Sequence, residues 1–541
     1  MKEQVKIWAI GGDSLSAPED TIPAYWAALA AGAEGLLIGV QLTADKKVVC
    51  CSQPDLRKTC GVNKKVGKLK LGKILKLDAG SQFRSIELDK RNQPIRGSRG
   101  NGKPWKKGAG SRRALFHPSL EEVCLHFGRR TKLWLNLLPS DDSRSASKEL
   151  FGRVYRVLKS FGLDGVATLS GQPKSLKIAK GKKELKDRLV LRVENKSQAR
   201  KAMESARELG VEKVWIDLSS ISRSFLESSA EVDLVVGPSS NEFALTPRQQ
   251  RKICNRENAI GLATRAIHDT KDVIQPRCVV LEDNLKKHDR KTWIIGHSRD
   301  NDDTNVDFDK GLFFDLQQGG EYSGAAAVTN FAIGGDFDSQ VDFWVAHPFQ
   351  GTTFELAVIQ VDPGYHKTNL TFDVHGAPPY ASSEKDENDG YRIGWNNGPA
   401  VTDFAADPAK TIEQLYSTVL SEVSPSILKR DPPSYIRKVP QSSNIYNNYS
   451  RDVGVASNEE ASGQLRLVRH GSNFSAYYTD KYNTGWVMCG TARIPTLCND
   501  VFFRLAAKHW PKGTNDRVPP WNQVRFSNFK ILQRRLHGRY K

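Results

Sequence analysis

Proton transfer near neutral pH requires imidazole or tuned carboxyl groups held together, and a hard divalent cation requires several oxygen ligands. All 11 histidines lie at or beyond His117, so the first 116 residues hold no imidazole. His117 and His268 are the two that could approach a site built from early strands, and a surface or helix-start position is expected for each. Asp300-Asn-Asp-Asp-Thr-Asn-Val-Asp-Phe-Asp309 gathers five carboxylates in ten residues, with Asp300, Asp302 and Asp303 as calcium candidates. It lacks the glycine and terminal glutamate of an EF-hand loop, so an acidic turn is expected there instead. Glu355 stands without the second carboxylate that a glycosidase needs. The eight cysteines repeat no Cys-x-x-Cys spacing, which argues against structural zinc. Cys489 and Cys498 could bridge a loop in an oxidising compartment, although free thiols are the plainer expectation.

The net charge of +19 is concentrated in one stretch. From Arg57 to Arg113 there are 18 Lys/Arg against three acids, a net +15 that leaves only +4 for the rest of the chain. Such a segment could dock phosphates of nucleic acid, anionic lipid or a polyanionic glycan, with Arg99, Lys103, Trp105, Lys106 and Lys107 as binding candidates. Few rings accompany these cations, so a base-stacking platform for nucleic acid is not favoured. Farther on, Trp395, Tyr477, Tyr478, Tyr482, Trp486, Trp510 and Trp521 could build a sugar-stacking surface, with Trp486 as the binding candidate, though most rings in such a region belong to a core.

The elements that must position these groups fall into two textures. Residues 5–283 alternate β-branched runs with amphipathic stretches. Strands are expected at 5–10, 35–42, 133–138, 165–169, 189–193, 213–218, 232–236 and 260–263, and helices at 18–31, 118–127, 148–161, 197–209 and 247–255. Eight strands alternating with helices suit a (β/α)₈ TIM barrel over residues 1–283, with 84–113 as a basic insertion. Residues 284–291 read as a linker. Two-residue alternation then takes over at 336–345, 354–361, 464–469, 473–479, 501–506 and 524–531, and only 408–423 looks helical. An antiparallel β-sandwich over 292–541, jelly-roll-like, is expected.

Several segments resemble a known family. Trp8-Ala-Ile-Gly-Gly-Asp-Ser-Leu-Ser-Ala-Pro-Glu-Asp-Thr21, Gly32 to Asp45, Pro54-Asp-Leu-Arg-Lys-Thr59, Leu77-Asp-Ala-Gly-Ser-Gln-Phe83 and Pro118-Ser-Leu-Glu-Glu-Val123 follow the order and spacing of glycerophosphodiester phosphodiesterases, PLC-like phosphodiesterases with a TIM barrel. The resemblance implies hydrolysis of a phosphodiester by two histidines beside a carboxylate-bound metal. It places those histidines at Ile10 and Ser52, an arginine at Gly11, and two acidic ligands at Leu37 and Gly39. Gln53 replaces an acidic neighbour, an acidic and lysine pair is lost within Trp134 to Pro139, and only Glu19 remains, as a helix cap or a loop hydrogen-bonder. No catalytic site and no metal site is intact by that comparison. More loosely, Gly335-Asp-Phe-Asp338, Phe354 to Ile359 and Gln464 to Gly471 resemble concanavalin A-like lectins and glucanases, which implies carbohydrate binding.

The expected function is therefore that of a pseudoenzyme: a binding or structural protein without a cofactor, meeting a glycan, a polyanion or a protein partner through the sandwich and the basic insertion. The alternative is a divergent phosphoric diester hydrolase of lipid or glycerophosphodiester metabolism with a rebuilt site, which would bring Mg²⁺ or Ca²⁺. With 541 residues and 39% hydrophobic content, two or more domains are expected. No run of 18 apolar residues exists to span a bilayer, and no signal peptide is visible, so the expected compartment is cytoplasmic, or extracellular if a leader was removed.

Overall fold

The computed structural model describes residues 5–83, 88, 116–238, 242–297, 304–316, 323–346, 352–361, 367–375, 390–398, 461–471, 473–480, 485–493, 500–509 and 521–534. Two units divide the chain, one ending at Pro276 and the other beginning at Arg277.

In the first unit, apolar runs buried on both faces form parallel strands, as sheets covered by helices require. β1 (Lys6–Ile10), β2 (Gly35–Leu42), β4 (Lys132–Leu137), β5 (Thr168–Gly171), β6 (Leu189–Val193), β7 (Lys213–Asp217), β8 (Asp233–Gly237) and β9 (Ala259–Thr264) pair in that order. β1 pairs with both β2 and β9, which closes the barrel. β3 (Val48–Cys50) folds back antiparallel on β2. All eight expected strands are present; β5 starts three residues late because Phe161 to Ala167 is spent on a turn through Gly162, whose φ is +65°.

Helices begin where side chains cap them. Thr21 accepts from the Ala24 amide ahead of Ile22–Ala30, and capping boxes at Ser119/Glu122 and Thr246/Gln249 open Leu120–Phe127 and Pro247–Cys254. Arg144–Ser160 starts four residues before the expected helix because Ser143 supplies its cap. Pro173–Ala179 and Arg223–Ser228 were not expected, being too short for periodicity to mark them, nor was Ile267–Ile274, which has no side-chain cap to mark its start. No described helix is long and apolar enough to cross a membrane.

The second unit consists of antiparallel sheets. Its strands are β10 (Arg277–Asp283), β11 (Trp293–His297), β12 (Asn305–Asp307), β13 (Leu312–Leu316), β14 (Ser323–Thr329), β15 (Phe337–Val345), β16 (Thr352–Val361), β17 (Lys367–His375), β18 (Gly390–Gly398), β19 (Ala461–His470), β20 (Asn473–Asp480), β21 (Val487–Arg493), β22 (Phe502–His509) and β23 (Asn522–Arg534). One sheet runs β12-β13-β23-β15-β19-β20-β21 with β10 also on β23, and the other β11-β14-β22-β16-β17-β18. Rings from the two sheets meet: Phe343 and Phe354 at 4.8 Å, Phe337 and Phe503 at 4.9 Å, and Trp293 and Phe529 at 5.2 Å. The expected boundary at 283/284 is corrected here, because β10 pairs with β23 across Arg277↔Arg534 to Asp283↔Phe529 and so belongs to the second unit. The expected helix at 408–423 and the basic insertion lie outside the described residues, apart from Leu88.

Candidate functional site

The C-terminal rim of the barrel strands is where a barrel carries its chemistry. Directly beneath that rim the inward side chains are apolar: Ile10 and Leu37, at two of the compared positions, pack with Trp8, Trp134, Val190, Trp215, Val235 and Ala263. Trp8 meets Trp134 edge-on at 5.0 Å, and Trp134 meets Trp215 at 5.9 Å. Three indoles thus occupy the interior as a plug.

Glycines fix the rim around this plug. Gly11 and Gly12 have φ of +64° and +92°, and a Cβ on Gly11 would stand 2.7 Å from Glu19 Cγ, so an arginine there would displace Glu19. A Cβ on Gly39 would stand 2.6 Å from Ser52 Cα, while the Gly39 amide donates to Ser52 Oγ at 3.2 Å. Ser52 therefore occupies the space that a carboxylate at position 39 would need.

Arginines neutralise the carboxylates above the plug. Glu19 receives Arg265 Nε at 3.0 Å and the Gln53 amide at 3.0 Å. Thr21, not Glu19, caps the helix, so of the two roles expected for Glu19 only hydrogen bonding near the first loop is observed. Arg192, one cation inside an otherwise apolar strand, lies 3.6 Å over the Trp215 ring and donates to Asp217 Oδ1 at 2.6 Å. Asn136, on the third barrel strand, accepts from Ser170 Oγ at 3.1 Å.

Behind Glu19 a buried polar network holds the hairpin to the first loop. Asp20, in the left-handed region at φ +56°, accepts from the Ser52 amide at 2.5 Å, Ser52 Oγ at 3.0 Å and Tyr25 Oη at 3.4 Å. Burial, reinforced by adjacent Glu19, pushes the Asp20 carboxyl up to about 7. His117 lies at the helix entry, two residues before the Ser119 cap, but the surface position also expected for it is corrected: the ring is fully buried and paired by Thr59 and the Asp20 carbonyl. Its Nδ1 lies 3.2 Å from the Asp20 carbonyl and so must donate, which leaves Nε2 to accept from Thr59 Oγ1 at 2.8 Å. Burial lowers this imidazole to about 4, so it is neutral at physiological pH.

The ligand atoms of Asp20, Cys51 and His117 lie within 4.8 Å of one another. They do not fit the carboxylate-held divalent ion that the resemblance implies. Both imidazole nitrogens and both Asp20 oxygens are engaged, burial holds the Cys51 thiol well above its ordinary pKa, and a thiol is a soft donor.

The remaining candidates separate. Trp486 is half-buried with the Arg466 guanidinium 5.3 Å over it, and Arg466 also lies 5.3 Å over Tyr477. Tyr477 and Tyr478 are buried, while Trp521 is 42% exposed. Glu355 is buried in an ion pair with Arg504. His268 sits half-buried on Ile267–Ile274. Arg99, Lys103, Trp105, Lys106, Lys107, Asp300, Asp302 and Asp303 lie outside the described residues, as do the side chains of Trp395, Tyr482, Cys489, Cys498 and Trp510. Sequence reasoning missed Arg192, Asp217, Asp20 and Arg265; the lone cation in Leu189–Val193 was the available signal for the first.

The glycerophosphoryl diester phosphodiesterase family model matches residues 12–236. The match covers residues 12–236, less than half of the chain. A glycerophosphodiester phosphodiesterase from Caldanaerobacter subterraneus subsp. tengcongensis is 39% identical to the chain over 72 residues, 13% of this chain and 30% of that protein. The chain thus spans under a third of the length of this curated relative. Among solved structures, an Oleispira antarctica phosphodiesterase in complex with the product sn-glycerol-3-phosphate is 17% identical, covers 50% of this chain and 97% of its own, and gives a TM-score of 0.39. A glycerophosphodiester phosphodiesterase from Agrobacterium tumefaciens is 15% identical, covers 49% and 99%, and gives 0.36. At its rim this barrel has arginine–carboxylate pairs over a tryptophan plug.

Proposed function

We propose that the protein is a non-hydrolytic relative of the glycerophosphodiester phosphodiesterases that works by binding, with the barrel as its frame. One observation carries this: the positions from which the family would work, Ile10, Leu37 and Gly39, are the wall of a packed core or blocked by Ser52. Each missing proton-transfer group is worth about 10²- to 10⁴-fold in rate, and two are replaced together. Glu19 is neutralised by a guanidinium, which removes the charge a cation would seek.

The ligand-bearing parts are the C-terminal sheets and the basic stretch 57–113. The rings that meet between the two sheets support a jelly-roll-like sandwich, and the ligand class that suits it is a glycan or a protein surface. The role needs no cofactor.

Turnover of bis(p-nitrophenyl) phosphate by the full chain with Mg²⁺ or Ca²⁺ tests the proposal. Hydrolysis at the buffer background is expected. Robust turnover that Glu19→Ala abolishes would establish the alternative, a rebuilt phosphodiesterase.

A further inference from the structure

Immediately after the rim hairpin, residues 54–77 fold over a small apolar cluster of their own. Leu56, Val66 and Ile74 are fully buried with Val49 and Cys51, and Val62, Leu69, Leu71 and Leu77 pack against them. Two hydrogen bonds strap the segment to the turn after β2: the Ala44 amide to the Leu69 carbonyl at 2.8 Å and the Leu71 amide to Asp45 Oδ1 at 2.9 Å. The segment is therefore a fixed surface.

That surface is cationic and unbalanced. Arg57, Lys58, Lys64, Lys65, Lys68, Lys70, Lys73 and Lys76 are all exposed. Arg57 pairs with Asp55 at 3.2 Å, and among the described residues no ion pair involves Lys58, Lys64, Lys65, Lys68, Lys73 or Lys76. Like charges within a Debye length of about 8 to 10 Å repel, so a partner carrying negative charge lowers their energy.

The chemistry of the segment distinguishes among anions. Residues 68–77 read Lys-Leu-Lys-Leu-Gly-Lys-Ile-Leu-Lys-Leu, and Leu69, Leu71, Leu75 and Leu77 are only half-buried between the lysines. Residues 54–77 contain no aromatic ring or histidine, so nothing can stack on a base. Seven lysines to one arginine supply point charges for a diffuse field of headgroups, not forks for a fixed phosphate geometry. Half-exposed leucines beside lysines gain from an acyl boundary and gain nothing from a duplex or a sulfated glycan.

We propose that residues 57–77 dock the protein on a bilayer surface rich in anionic phospholipid. This holds whether or not the barrel rim hydrolyses anything. The test is co-sedimentation of the full chain with phosphatidylcholine vesicles containing about a third phosphatidylserine, at about 0.1 M salt. Binding is expected to those vesicles, to fade at high salt, and to be absent for phosphatidylcholine alone. Lys64→Glu/Lys65→Glu/Lys68→Glu/Lys73→Glu should weaken it by about 100-fold or more. Lys73→Gln/Lys76→Gln, a milder pair at exposed positions, should weaken it by about 10-fold with an unchanged melting temperature. Vesicle binding that survives both variants overturns the proposal, as does capture by duplex DNA or heparin without capture by vesicles.

Discussion

At the scale of single residues, two buried groups at the rim titrate in opposite senses. Asp20 is raised to about 7 from 3.8 by burial and by Glu19, so the stabilisation its proton provides is complete below the lower value and is lost as pH rises through the upper one. His117 is lowered to about 4 from 6.5 by burial, so stability is lost as pH falls from 6.5 towards 4, where the unfolded ring takes a proton that the folded ring refuses. Over the shared window the two slopes oppose each other in the wild type. Thermal melts should therefore separate them: Asp20→Asn should grow more stable from pH 4 to 6.5 relative to wild type, and His117→Gln should grow less stable from pH 4 to 7. Parallel curves for all three proteins would mean that these groups do not titrate as their burial requires.

At the scale of elements, β6 and β7 are joined across the rim by Arg192 and Asp217, whose side chains are 9% and 8% exposed. Removing one partner of so buried a pair strands the other charge, at a cost of about 3–5 kcal/mol, while replacing both with apolar groups is close to neutral. Arg192→Met should lose about that much in chemical denaturation, and Arg192→Met/Asp217→Leu should recover most of it; equal losses in both would assign the effect to the packing of Arg192 on Trp215 alone. These strands also mark what a sequence can disclose. All eight barrel strands were legible because parallel strands covered on both faces are continuous apolar runs, as in Gly35–Val40, and helix starts were legible where Ser119 and Thr246 form capping boxes. That Ile10, Leu37, Gly39 and Ser52 carry neither an imidazole nor a carboxylate was legible too, being a matter of residue type. The replacement was not: that Arg265 reaches Glu19 across 246 residues, or that His117 lies behind Asp20, depends on barrel closure, which local periodicity does not encode.

At the scale of the whole molecule, the sequence placed the junction between units too late because Arg277–Asp283, with its apolar run Cys278 to Leu281, continues the texture of the residues before it. Its partner shows otherwise: β10 lies antiparallel to the C-terminal half of β23, while β13 holds the N-terminal half. Arg277 and Arg466 both bind buried Asp338, Asp283 Oδ2 accepts from the indole N–H of buried Trp293 at 2.8 Å, and Leu285 is completely enclosed. A fragment beginning at residue 292 would keep Arg466 on Asp338 but lose Arg277, Asp283 and Leu285 and bare half an edge of β23. An unpaired buried indole alone costs about 1–3 kcal/mol, and an open edge invites strand-to-strand association. Residues 277–541 should therefore melt cooperatively as a soluble fragment, whereas residues 292–541 should melt several degrees lower or aggregate at the same concentration. Equal melting of the two fragments would mean that residues 277–291 do not stabilise the second unit, since a strand that does so cannot be removed without consequence.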